Sequence, residues 1–247
     1  MPKRGQTKIL LFIALLVALG LALAVLLRSP AEEFNLLLQE KVLLQQEGQA
    51  TVHQAVTDCV EELGELGLFL WGEHGGYLVA PKDFEGTLGT LVYRHGQLFV
   101  PDITRSEREL EAFLTAVLPS YCQEATAGFE VVDATPKAAV RILPQEVQMQ
   151  VEWPLTLSQL GEQFPLPPVD ITVPLELPKL VSAMGEIAEE QQRHPWTICL
   201  SCLEKVAQRY DLEIRMANGA QEMGLVLVDQ ASRIGGGKYA MAFALAL

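Results

Sequence analysis

Asparagine is nearly missing from this chain of 247 residues: only Asn35 and Asn218 occur, neither opens an Asn-x-Ser/Thr sequon, and N-glycosylation is therefore excluded. Bases are scarce too. Lys and Arg number 18 against 31 acids, a net charge of −13, which denies the chain the basic face that nucleic acid phosphates require. The four histidines, His53, His74, His95 and His194, show no metal-ligand spacing, and a zinc site at Cys199 and Cys202 lacks a second Cys-x-x-Cys. No metal and no cofactor is expected. Neither a nucleophile elbow nor a paired-histidine protease motif occurs. Gly235-Gly236-Gly237-Lys238 is not a phosphate loop, because Ser232 stands where the first glycine belongs and Tyr239 follows the lysine; a hairpin turn is expected instead. The chain is read as a non-enzyme, although a serine, a histidine and an aspartate can still meet in space without any motif. Aromatics are few, at 7%, yet 49% of residues are hydrophobic and regularly patterned, which argues for a packed core.

Charge of one sign is absent locally. Residues 1–30 hold Lys3, Arg4, Lys8 and Arg28 and no acid, leaving 14 bases against 31 acids beyond them, a balance of −17. Between those bases lies an uncharged run, Ile9 to Leu27. As a helix its nineteen residues reach roughly 28 Å, about the thickness of a bilayer's hydrocarbon core. The run is longer than a secretory apolar region, and Arg28-Ser29-Pro30 offers no small-residue cleavage site. An uncleaved signal anchor from Ile9 to Leu27 is expected, held by membrane lipid. The bases ahead of it place residues 1–8 in the cytoplasm and the rest outside the cell. The alternative is a type IV pilin-like precursor, cut after Gly5 in Lys3-Arg4-Gly5-Gln6.

Past the span, residues 28–72 read as a juxtamembrane helical region, one long helix or two meeting near Gly48. Val52, Val56, Cys59, Val60, Leu63, Leu66 and Leu70 form an apolar stripe at helical spacing that should pack on a core. The earlier Leu36-Leu37-Leu38 and Val42-Leu43-Leu44 suit either the same core or another membrane or surface protein. Residues 73–128 read as a short strand at Tyr77–Ala80, a hairpin around Arg94-His95-Gly96, and a helix starting near Arg105 with capping-box spacing between Thr104 and Glu107.

Residues 129–247 read as an α+β outer domain. Strands are expected at 129–132, 138–143 and 147–153, where Val147, Met149, Val151 and Trp153 alternate with Gln148, Gln150 and Glu152. A proline-rich loop at 165–168 leads to a strand at 171–175. Two helices follow, with Pro178 and Pro195 in their opening turns, and closing strands at 212–216, 224–228 and 239–247. The whole is α+β: a membrane helix continuing into a long helix, then mostly antiparallel strands packed with about three helices.

Four cysteines outside a cell form an even set where disulfides persist. The pairing expected is Cys59 with Cys122, clamping the helical layer, and Cys199 with Cys202, out of three possible connectivities. Free buried thiols are the alternative. Cys199-Leu200-Ser201-Cys202 also has the spacing of a redox pair, but such a pair should open a helix, and this one reads as lying inside one.

Asp58-Cys59-Val60, the run from Leu70 to Leu78 (LWGEHGGYL), Tyr121-Cys122, Trp153-Pro154-Leu155, Asp229-Gln230-Ala231-Ser232 and Tyr239 to Ala244 together resemble a group of uncharacterised single-pass archaeal surface proteins. Those also begin with a basic stub, a Gly-Gln pair and one span. The resemblance covers most of residues 5–247 and implies a cell-surface location with no chemistry attached. Where the group carries Phe-x-Phe-Ala, this chain has Met241-Ala242-Phe243-Ala244. Function is accordingly expected to be structural or protein-binding at the cell surface, with a membrane-tethered thiol-disulfide enzyme or a pilin-like subunit as alternatives.

Overall fold

A computed structural model describes residues 30–126, 130–132, 135–154, 156–159 and 162–246. The span Ile9 to Leu27, the stub ahead of it and the Gly5 processing site lie outside these residues. Among the described residues no helix is long and apolar enough to cross a membrane. The chain divides into two units, 1–51 and 52–247.

One helix, α1, covers Pro30–Glu73 without a break at Gly48. The side chains of residues 30–49, which the sequence suits either to the same core or to a partner protein, lie outside the description. From Val52 onward the stripe holds: Val52, Val56, Val60 and Leu63 are buried. It then departs from the expected line, for Leu66 is exposed while Leu68 and Trp71 are fully buried. The cause is Gly64 and Gly67, which let Met149 and Phe113 press against the helix backbone and turn the contact face. Gly75 and Gly76, at φ +64° and +89°, end α1, with the Gly76 amide donating to the Trp71 carbonyl at 2.8 Å.

No strand forms at Tyr77–Ala80. The Tyr77 hydroxyl donates to the Phe99 carbonyl and the Leu78 amide to Glu109, so side chains replace a ladder there. The hairpin does form, as β1 (Leu91–Arg94) and β2 (Gln97–Leu98), with His95 and Gly96 at φ +48° and +82°. Helix α2 spans Ile103–Tyr121. Its N-cap is Asp102, and the expected capping box is absent, because Glu107 accepts from the Ile142 amide at 2.9 Å and Glu111 from the Val140 amide at 3.0 Å.

Strands β3 (Glu130–Val132), β4 (Lys137–Ile142) and β5 (Val147–Glu152) follow. Alternation in β5 is strict, with Val147, Met149 and Val151 buried and Gln148, Gln150 and Glu152 exposed. A hairpin with no sequence signal, β6 (Thr156–Gln159) and β7 (Glu162–Pro165), precedes β8 (Val169–Val173). Helices α3 (Leu177–Arg193) and α4 (Leu200–Tyr210) lead to β9 (Leu212–Asn218), β10 (Glu222–Ile234) and β11 (Gly237–Ala246). Helix α4 starts five residues after Pro195, not at it.

Three sheets result, in the orders β2-β1-β11-β10-β9, β3-β6-β7 and β4-β5-β8. All pairings are antiparallel except β1 on β11. The fold is α+β, with four helices among the described residues. Residues 73–128 and 129–247 share one compact unit, because β1 and β2 of the first segment complete the sheet of the second. One hydrophobic core joins α1 from Val52 on, α2, α3, the five-stranded sheet and the β4-β5-β8 sheet.

Candidate functional site

Both cysteine pairs form. Cys59 and Cys122 are bridged with their Cα atoms 5.8 Å apart, and Cys199 and Cys202 with theirs 5.2 Å apart. The two bridges occupy different surroundings. Cys122 closes the end of α2 at zero exposure, and Cys59, half-buried, packs on the same core, so the first bridge has one end fully buried and one partly exposed. It joins residues 63 apart in sequence. A loop of that length stabilises by about 4 kcal/mol in the chain-entropy model, against about 2 kcal/mol for the short Cys199–Cys202 loop.

The second bridge sits at the mouth of α4, which corrects its expected place inside the helix. Cys199 is the N-cap residue and its carbonyl accepts from the Cys202 and Leu203 amides at 3.0 and 3.1 Å. The connector from α3 sets this position. Gln191, buried on α3, donates its side-chain amide to the His194 carbonyl at 3.0 Å, and the Thr197 amide donates to the same carbonyl at 3.2 Å. The chain therefore bends at residues 194–198 before α4 begins.

Around the disulfide the environment is two-sided. Toward the core, Ile187, Gln191, Ile198, Leu203, Val206 and Leu245 line a small cavity behind the sulfurs. Toward solvent, Trp196 is 87% exposed and Leu200 is 61% exposed, and the Ser201 hydroxyl lies 3.6 Å from the Cys199 sulfur. No side-chain oxygen caps α4 and no acid stands in its first turn. The position that ordinarily carries a Ser or Asp carries sulfur, next to the positive end of the helix. Glu190, which borders the same cavity, is held by Arg193. Chemically the arrangement offers a disulfide, partly exposed, whose reduced form has helix amides available to a Cys199 thiolate.

A second polar cluster lies in the core. At the irregularity of β10, Asp229 is fully buried, and its carboxylate accepts from Lys179 Nζ at 2.9 Å, the Ala231 amide at 3.1 Å and the Ser232 hydroxyl at 2.6 Å. Glu176 reaches the same ammonium at 2.6 Å. Burial lowers the pKa of Lys179, but its two carboxylate partners outweigh that and raise it, so the amine stays charged and is no base for Ser232. Ser232 is itself buried at 3% exposure, out of reach of a substrate. The cluster pins the first turn of α3 to β10. Sequence reading singled out Asp229 and Ser232 but had no signal for Lys179, which lies 50 residues away and meets them only in the fold.

The remaining motif residues serve construction. A Cβ on Gly72 would stand 2.5 Å from the Ala240 carbonyl oxygen, so only glycine allows α1 to lie this close to β11. Beside it the buried Tyr239 hydroxyl donates to the Leu68 carbonyl at 2.9 Å, and burial drives its pKa far above the ordinary phenol range. The glycines at 235–237 make the β10–β11 turn, with Gly235 and Gly236 at φ +57° and +78°. His53 bonds Thr57 within α1, His95 occupies the β1–β2 turn, and His74 and His194 end helices or follow them, each exposed or half-buried and apart from the others. Among the described residues no group of three or more His, Cys, Asp or Glu side chains is placed to hold a metal. No family model, curated protein or solved structure matches the chain.

Proposed function

We propose that this protein is a component of the cell surface, anchored by a span at Ile9 to Leu27 with its bulk outside, whose outer domain binds another envelope protein. The observation that carries the binding role is the exposure of two large apolar side chains four residues apart, Trp196 in the connector to α4 at 87% and Leu200 at its first position at 61%. Tryptophan concentrates binding energy when a partner desolvates it. The anchoring rests on the basic stub ahead of an apolar run. Two disulfides fit an oxidising exterior, as does the resemblance to single-pass archaeal surface proteins.

A photo-crosslinking residue placed at Trp196 in the full chain, expressed in its own membranes, tests this reading. A discrete adduct with an envelope protein is expected, lost when Leu200→Asp is added. A protein that extracts with detergent as a monomer, with no adduct before or after extraction, overturns it.

A further inference from the structure

We propose that Cys199–Cys202 is an exchange-active disulfide that oxidises dithiols in other proteins, while Cys59–Cys122 is purely structural. Four observations converge on the first pair. Both of its cysteines are partly exposed, whereas the other bridge pairs a partly exposed Cys59 with a fully buried Cys122. Cys199 is the N-cap of an 11-residue helix that has no oxygen cap and no acid in its first turn, so a thiolate released there gains amide donors and the positive helix end. Trp196 and Leu200, three residues before Cys199 and one after it, are exposed apolar side chains that a substrate protein can cover. On the inner side a small cavity lined by Ile187, Ile198 and Leu245 borders both cysteines.

The reaction balances with the partner dithiol alone. A substrate thiolate attacks Cys199 Sγ, forming a mixed disulfide as the Sγ–Sγ bond breaks and Cys202 leaves as a thiolate, which takes up a proton. The second substrate thiolate then attacks the substrate sulfur of that mixed disulfide and expels Cys199 as a thiolate held at the helix mouth. The substrate loses two electrons and two protons and gains a disulfide. Cys199 and Cys202 gain the two electrons. Stabilising the leaving Cys199 thiolate favours this direction, since a better leaving group departs faster.

Neither the anchor nor the docking partner proposed above is needed for this, so glutathione serves as the probe. The full-length chain in detergent is equilibrated across ratios of reduced to oxidised glutathione, quenched with acid, alkylated and mapped by mass spectrometry. Cys199 and Cys202 are expected to open at a ratio at least a hundredfold less reducing than any that opens Cys59–Cys122. In a Cys202→Ser variant, Cys199 should carry a glutathione adduct and, once freed, react with iodoacetamide at pH 6 at least tenfold faster than Cys202 does in Cys199→Ser. Opening of both bridges at the same ratio in the unaltered chain overturns the proposal without recourse to a variant, as does equal reactivity of the two thiols.

Discussion

The ammonium of Lys179 stands 2.9 Å from the carboxylate of Asp229, one group in the first turn of α3 and the other fully buried in β10. Burial alone would raise the Asp229 pKa, but the Ser232 hydroxyl, Lys179 and the Ala231 amide hold the carboxylate charged and bring it below its usual value. A depressed carboxyl contributes stability that is present above its unfolded value of about 3.9 and is lost as pH falls through the folded value. Asp229→Asn should therefore unfold at lower denaturant concentration at pH 7 and show a flatter fall in stability below pH 4 than the parent. Asp229→Ala, which leaves the Lys179 ammonium to Glu176 alone and the buried Ser232 hydroxyl and the Ala231 amide without their acceptor, should cost about 3 kcal/mol in chemical denaturation.

The two disulfides should separate in a stability measurement. Replacing Cys59 and Cys122 together by alanine is expected to lower stability by about 4 kcal/mol, and replacing Cys199 and Cys202 by about 2 kcal/mol or less. Thermal unfolding followed by far-UV circular dichroism reads both, and equal losses would contradict the difference expected from loops of 63 and 3 residues.

Gly72→Ala forces α1 away from β11, because the added methyl has backbone oxygen at 2.5 Å and the Tyr239 hydroxyl at 2.8 Å. The expected cost is about 2 to 3 kcal/mol, in the range of overpacked cores. Tyr239→Phe removes only the bond to the Leu68 carbonyl and should cost about 1 kcal/mol. Denaturant midpoints of the two variants give the comparison, and a neutral Gly72→Ala would mean the helix is not seated as described.

Strand β4 is an edge, and the carboxylates of Glu107 and Glu111 take the place of a neighbouring strand along it. Hydrogen exchange should register this locally. In Glu107→Ala the Ile142 amide is expected to exchange at least tenfold faster, and in Glu111→Ala the Val140 amide, with amides of β5 unchanged. Exposed edge donors also invite intermolecular pairing, so the double variant should aggregate sooner on heating.

What could be read from the sequence was whatever local spacing governs. The alternation of Val147, Met149 and Val151 predicts β5 because a period of two has one buried face, and Gly96, Gly235 and Gly236 predict turns because they take positive φ. Cys59 pairs with Cys122 because each ends up on the apolar side of its helix. Contacts between distant segments left no such trace. Glu107 has the spacing of a cap but serves a strand 35 residues on. Leu66 and Leu70 continue the heptad-like line, yet Gly64 and Gly67 turn the packed face to Leu68 and Trp71. The hairpin of β6 and β7 was hidden by its prolines and glycine. At the candidate site, Pro195 resembled the first residue of a helix, and only the grip of Gln191 on the His194 carbonyl shows why α4 starts late enough for Cys199 to stand at its mouth.

The five-stranded sheet has a consequence for the order of events in folding. Its middle strand, β11, is the last of the five in sequence, pairing with β10 on one side and with β1, roughly 150 positions earlier, on the other. A chain emerging N-terminus first holds β1 and β2 without their neighbour until residues 237–246 arrive, and the seat of Gly72 against Ala240 is missing for as long. The long-range closure makes folding slow relative to helical proteins of this size.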